Sequence, residues 1–253
     1  MLNQIFNEDC LEGMKRIPDG SIDCIITDPP YWTTKCSWDT VIPFDKMWEQ
    51  LKRIIKPNGA IVLFGSEPFS SYLRMSNIKQ YKYDWVWEKN QPSGIATTKY
   101  MPMKNHEIIS VFCSGRTSYY PQKVKSKIKD RNLGKSNGKF WDKTNIGVNN
   151  LKPKKVNNPD NILLEYVNPR TVLEYNIEPN SKGKLHPTQK PVALIEYLIR
   201  TYTNEWETVL DFTMWSWTTA IACINTNRNY IGFELDKWYY DIAQERIRNH
   251  LSK

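Results

Sequence analysis

The apolar positions of this chain fall into short closed runs separated by stretches of helical spacing. Residues 22–27 (Ile-Asp-Cys-Ile-Ile-Thr) and 60–64 (Ala-Ile-Val-Leu-Phe) are almost continuously apolar, the pattern of strands covered on both faces. Between them, 44–55 carries Met47, Trp48, Leu51, Ile54 and Ile55 at helical intervals and stops at Lys56-Pro57-Asn58-Gly59. A short helix is predicted over 67–77, and strands over 82–87 and 108–112. Towards the carboxyl end, helices at 192–202, 218–226 and 237–251 alternate with strands at 209–212 and 230–234. Such alternation builds a doubly wound, mainly parallel α/β sheet with helices on both faces. Ligands of open α/β sheets bind at the carboxyl edge of the strands.

Composition narrows the class. At 253 residues and 40% hydrophobic content, the chain can bury a sizeable core, and no apolar run approaches the length of a membrane span. The amino terminus lacks the basic and apolar regions of a signal peptide, so a cytoplasmic location is expected. Cys10, Cys24, Cys36, Cys113 and Cys223 are scattered without a paired spacing, and read as reduced thiols rather than as a metal site or disulfide frame. The net charge of +8 is unevenly placed: residues 116–190 hold 16 Lys and Arg against 6 Asp and Glu, which leaves −2 for the rest. A basic segment of this density suits a phosphate backbone, although a solvated Lys-rich loop has the same composition. Three divisions are expected: 1–114, a basic insert over 115–183, and 184–253.

Candidate chemistry sits where predicted strands end. Asp28-Pro29-Pro30-Tyr31 follows the run at 22–27, and its prolines stop the ladder because neither has an N–H to donate. The elbow offers a carboxylate, a proline carbonyl and an aromatic face, a set suited to an exocyclic amino group on a flat base. An ordinary Pro-rich turn is the blander reading. A second strand ends at Asp211, followed by Phe212-Thr213-Met214-Trp215-Ser216-Trp217-Thr218-Thr219, and a third ends at Glu234. A strand end turning into a helix, with a carboxylate about twenty residues on, is the spacing of a nucleotide site whose acidic group accepts ribose hydroxyls. Each carboxylate taken alone is as well explained as a strand-end cap.

Together these features resemble the β arrangement of DNA amino-methyltransferases, in which the catalytic half precedes the cofactor half. The resemblance covers nearly the whole chain. Asn7-Glu8-Asp9-Cys10 looks like the element beside the cofactor's adenine, and Asp28-Pro29-Pro30-Tyr31 like the catalytic motif. His186-Pro187-Thr188-Gln189-Lys190-Pro191 looks like the motif ahead of the helix that closes over S-adenosylmethionine. Asp211, Phe212, Thr213, Trp215, Ser216, Trp217, Thr218 and Thr219 occupy the cofactor loop, and Glu234 the ribose position. The resemblance implies a Rossmann-like methyltransferase fold with an inserted target-recognition region, no metal, and methyl transfer to a base flipped out of duplex DNA. The leading Asp resembles the adenine-N6 branch more than the cytosine-N4 branch. Trp85 and Trp87 are expected to wall the base pocket, or else to alternate with one ring buried and one near the site. Homodimer formation and a separately encoded restriction nuclease are both compatible with the family. An asparagine-led version of the motif serves protein-glutamine methylation, and some relatives act on RNA.

The chain departs from the family in one respect. Trp215 and Trp217 stand where the cofactor loop is glycine-rich, and Trp32 stands where Gly is frequent after the catalytic Tyr. Glycine makes up 11 of 253 residues, about 4% against a typical ~7%, while Trp numbers 10. Trp206, in Asn204-Glu205-Trp206-Glu207, is a further position where Gly is plausible. Three readings follow: a DNA-binding pseudoenzyme, a remodelled loop, or glycine codons (UGA) translated as tryptophan.

Overall fold

The computed structural model describes residues 1–31, 41–125, 166–177, 189–215 and 217–252. The chain forms two compact units, one of residues 1–120 with 170–253 and one of residues 121–169. In the smaller unit, the described part includes a two-stranded antiparallel ribbon, paired at Val124 with Val167.

The larger unit is built on one eight-stranded sheet. Its strands are β1 (Gln4–Asn7), β2 (Ile22–Thr27), β3 (Ile55–Gly65), β4 (Tyr81–Ser93), β5 (Lys104–Phe112), β6 (Val172–Glu174), β7 (Thr208–Asp211) and β8 (Asn229–Glu234). Across the sheet they run β1-β8-β7-β2-β3-β5-β4-β6. The first five in that order are parallel neighbours, β5 runs antiparallel to both β3 and β4, and β6 lies parallel to β4. The sheet is therefore mainly parallel, as the alternation of elements predicts.

Two cores follow from the period of two along buried strands. Cys24, Ile26, Ala60, Val62 and Phe64 face one side with α4 (Val192–Tyr202), α5 (Thr218–Asn225) and α6 (Lys237–Leu251). Ile25, Ile61 and Leu63 face the other with α1 (Cys10–Met14), α2 (Phe44–Ile54) and α3 (Phe69–Ser76). Leu51 of α2 is fully buried there, and Leu51→Ala would cost about 2–5 kcal/mol. Gly13 lets α1 lie against β8, because a Cβ at that position would sit 2.2 Å from the Phe233 ring. Among the described residues no helix is long and apolar enough to cross a membrane.

Several elements differ from expectation. β4 and β5 extend well beyond 82–87 and 108–112, because their outer residues pair with each other as a long antiparallel arm. The helix expected over 67–77 is shortened to Phe69–Ser76 by Pro68 ahead of it. Trp85 and Trp87 do not alternate: two residues apart on a strand, both rings face one core, 3% and 2% exposed. The Trp85 Nε1–H donates to the Tyr202 hydroxyl and the Trp87 Nε1–H to the Tyr175 carbonyl, so neither walls an open pocket. Ser118 and Tyr120 donate backbone N–H bonds to Asn58 and Thr201, and β6 pairs with β4, so both edges of the expected insert pack within the larger unit.

Candidate active site

Adjacent parallel strands β8, β7 and β2 end in Glu234, Asp211 and Thr27-Asp28, which places three carboxylates along one edge of the sheet. Side chains knit these ends together. The Thr27 hydroxyl donates to Asp211 Oδ1 at 2.9 Å and accepts the Phe212 N–H at 3.0 Å. The Thr219 hydroxyl donates to Asp211 Oδ2 at 2.6 Å, and the Thr213 N–H to Oδ1 at 3.2 Å. Burial pushes the Asp211 carboxyl up to about 6, against the hydrogen bonds from Thr219 and Thr27 that favour its charge. With both oxygens engaged, Asp211 organises the loop rather than presenting a free acceptor.

At the Asp28 elbow, Oδ1 accepts the Tyr31 hydroxyl and Oδ2 the Lys190 ammonium. Its backbone carbonyl accepts the Trp215 Nε1–H at 2.7 Å and the Thr213 hydroxyl at 3.1 Å. Pro29 and Pro30 are buried, and the Tyr31 ring packs on Phe69 with centroids 5.0 Å apart. Burial raises the Asp28 pKa, and the Lys190 charge only partly offsets this. Burial also opposes the charge on Lys190, but Asp28 and Glu107 together hold its pKa above the ordinary value. Glu107, within β5 just ahead of its apolar run, shows the opposite outcome: Lys190 and Lys89 overcome its burial and lower its pKa.

Two cavities meet this edge. The larger, about 620 Å³, is lined by Asp9, Cys10, Phe212, Thr213, Trp215 and Glu234, with Pro30, Phe233 and Asp236 also on its wall. Asp9 caps α1 there, its Oδ1 accepting the Leu11 N–H at 2.8 Å. Burial pushes the Glu234 carboxyl up to about 7, and the Asp236 N–H donates to its Oε1 at 2.8 Å. The smaller cavity, only about 20 Å³, lies beside Asp28 and is lined by Lys190, Asp211, Trp215, Trp217, Thr218 and Thr219. The expected cofactor residues therefore divide between two spaces, and Thr213 and Trp215 border both. Gln189 is buried just ahead of α4, and its Oε1 has no hydrogen-bond partner among the described residues. His186, Thr188, Ser216 and Trp32 lie outside the described residues.

The suspect tryptophans have a backbone signature. Trp217 has φ +52° and Trp206 φ +69°; apart from these, the described non-glycine residues with positive φ are Asn3 and Asn227. Asn tolerates that region, whereas a bulky residue there is an outlier and Gly is the unstrained choice. Trp217 is 1% exposed, and its Nε1–H has no hydrogen-bond partner among the described residues. Leaving such a donor buried costs about 1–3 kcal/mol.

Glu107 and Lys89 escaped sequence reasoning, as did the cavity residues Leu235, Asp236 and Lys237. A carboxylate at the head of the apolar run 108–112 was the available signal for Glu107. Its partner Lys190 is remote in sequence, so the charge match is visible only in the fold.

Comparison with known proteins agrees with this geometry. The chain belongs to the DNA methylase family N6_N4_Mtase, which it matches over residues 22–245. It is 30% identical to the Type II methyltransferase M.HpaI of Haemophilus parainfluenzae over 263 residues, spanning 98% of this chain and 74% of that protein. It is 26% identical to the Type II methyltransferase M.HinfI of Haemophilus influenzae, spanning 98% of this chain and 68% of that protein. Among solved structures, the M1.HpyAVI–SAM complex is similar with TM-score 0.59 and 26% identity, covering 96% of this chain and 98% of that one.

Proposed function

We propose that this DNA methylase transfers a methyl group from S-adenosylmethionine to the N6 amino group of adenine in duplex DNA, with the target base flipped out of the helix. The observation that carries this reading is the Asp28 carboxylate on a proline elbow whose Pro30 lines the 620 Å³ cavity together with Glu234 and Asp9. The cavity is of a size that holds a cofactor. The Glu234 and Asp9 carboxylates suit ribose hydroxyls and an adenine amino group, with Phe212 and Phe233 as apolar wall, so the residues present fit the adenosine end. When bound, S-adenosylmethionine supplies an electrophilic methyl group.

The chain's own residues supply position and electrostatics. Asp28 accepts the amino hydrogens, which draws the nitrogen lone pair out of ring conjugation. Burial raises its pKa, which makes it a better acceptor for the proton that the methylated nitrogen must lose. The Tyr31 ring offers a stacking face. The basic insert, residues 115–183 with 16 Lys and Arg in 116–190, supplies phosphate contacts and target recognition.

The same reading takes 32, 215 and 217, and with them 206, as glycine positions of the working enzyme. Positive φ at Trp206 and Trp217 supports this, as does the narrow space that Trp215 and Trp217 leave beside Asp28. That closure equally favours a second reading, a DNA-binding protein that keeps the fold without the chemistry. Labelled methyl transfer to unmethylated duplex DNA separates them, run on this chain and on Trp32→Gly/Trp215→Gly/Trp217→Gly. Activity confined to the glycine variant supports the enzyme, and DNA binding with activity in neither supports the binding protein. UGG codons at 206, 215 and 217 would remove the miscoding explanation. Nucleoside analysis of the product distinguishes N6-methyladenine from N4-methylcytosine.

A further inference from the structure

Asp28, Lys190, Glu107 and Lys89 form a line of alternating charges running from the elbow into the sheet. The Lys190 ammonium donates to Asp28 Oδ2 and lies 3.3 Å from Glu107 Oε2. The Lys89 ammonium donates to Glu107 Oε1. Lys190 and Glu107 side chains are only 8% and 14% exposed. The groups come from four parts of the chain: the end of β2, the segment ahead of α4, β5 and β4.

The two carboxylates are not equally occupied. Both oxygens of Asp28 are taken, one by Tyr31 and one by Lys190. Glu107 Oε2 is buried and lies 3.3 Å from the Lys190 ammonium, which Asp28 Oδ2 holds more closely. Each Asp28 oxygen keeps a second lone pair, but an ammonium held on Oδ2 makes the carboxylate a poorer acceptor for an incoming amino group and its proton. Moving Lys190 away restores that basicity, but a buried ammonium left without a counter-charge is strongly unfavourable. Glu107 Oε2 is already adjacent, so the ammonium can move fully onto it while the four charges still sum to zero.

We propose that Glu107 is a positioning residue for methyl transfer: it is the alternate seat of the Lys190 ammonium, taking it when Asp28 receives the target amino group. Lys89 holds the other Glu107 oxygen and so keeps that seat in place. The arriving amino group rests on the function proposed above; the shared ammonium does not.

A double-mutant cycle on the full chain tests the shared ammonium without any activity. Asp28→Asn and Glu107→Gln each leave Lys190 one carboxylate, and each should lower Tm by only a few degrees. The double variant strands the ammonium and should lower Tm by ~10 °C, well beyond the sum. An additive result, or a double variant milder than the sum as for a rigid bridge needing both partners, overturns the proposal. The kinetic arm uses whichever form transfers methyl groups, this chain or its glycine variant. Glu107→Gln should lower kcat about 100-fold with KM for DNA unchanged, as for loss of one electrostatic partner at a reacting centre. Glu107→Asp should recover part of it. An unchanged kcat, or a loss confined to KM, overturns the proposal. If neither form transfers methyl groups, that failure falls on the function reading and the stability cycle decides alone.

Discussion

The two ends of the carboxyl edge are built on opposite plans. At β8 and β1 the strands stay paired to Asn7 and Glu234, and beside their ends a 620 Å³ cavity opens between aromatic walls and carboxylates that keep acceptor capacity. At β2 and β7 the same edge is packed shut: about 20 Å³ remains, and the oxygens of Asp28 and Asp211 are engaged by neighbours. One end is ready for a ligand, while the other must rearrange before it can react. Two kinds of group keep it closed, the indoles of Trp215 and Trp217 and the ammonium of Lys190. The indoles belong to the chain's composition, whereas the ammonium is reversible.

The strongest challenge to this contrast is at the closed end. Asp28→Asn should lower labelled methyl transfer by about 10³-fold; a variant within tenfold of its parent would take Asp28 out of the chemistry. Trp215→Gly/Trp217→Gly should raise transfer by at least ~100-fold while lowering Tm, because removing a buried indole costs about 3–5 kcal/mol of packing. Unchanged transfer in that variant would mean that the indoles are not the obstruction.

At the open end, Glu234→Gln should weaken S-adenosylmethionine binding about tenfold by calorimetry. The pH dependence has a definite sign. The Glu234 carboxyl rises from 4.5 to about 7 on folding, so the folded state holds this proton more tightly than the unfolded chain. The free protein therefore loses stability as pH rises from about 4.5 to about 7. Cofactor affinity should follow the ionised carboxylate, rising as pH climbs through about 7. A flat affinity profile between those limits, or one that survives Glu234→Gln, would detach this carboxylate from the ligand. The smallest effect concerns Trp206, which is 71% exposed and packs little, yet holds φ +69°. Trp206→Gly should raise Tm by ~2–4 °C, the counterpart of ~1 kcal/mol of relieved backbone strain in a domain this size. A lower Tm would show that the turn prefers the indole.

Much of this architecture is legible in the chain because its central strands are covered on both faces. Ile22–Thr27 and the apolar part of β3 read as buried strands, and Asp28-Pro29-Pro30 marks where the first one stops. No local pattern marks β1 and α1, since their short runs, Gln4–Asn7 and Cys10–Met14, owe their shape to pairing with β8 and to the Asp9 cap. The direction of β5 was equally hidden, because an apolar run reads the same whichever way its neighbour runs. Trp85 and Trp87 show the converse: against the expected alternation, a period of two puts both on one face, and their helix partners show that this face is closed core.

By itself the sequence determined the alternating α/β plan, the edge where chemistry gathers, and the carboxylates that end β2, β7 and β8. Local patterning suffices there, since burial period, proline and strand ends act over a few residues. Only the tertiary structure decided which carboxylates are spent on holding loops, which face open space, and that Lys190 stands between Asp28 and Glu107. Those outcomes depend on side chains brought together from distant segments, where burial and charge fix one another and no local pattern records the result.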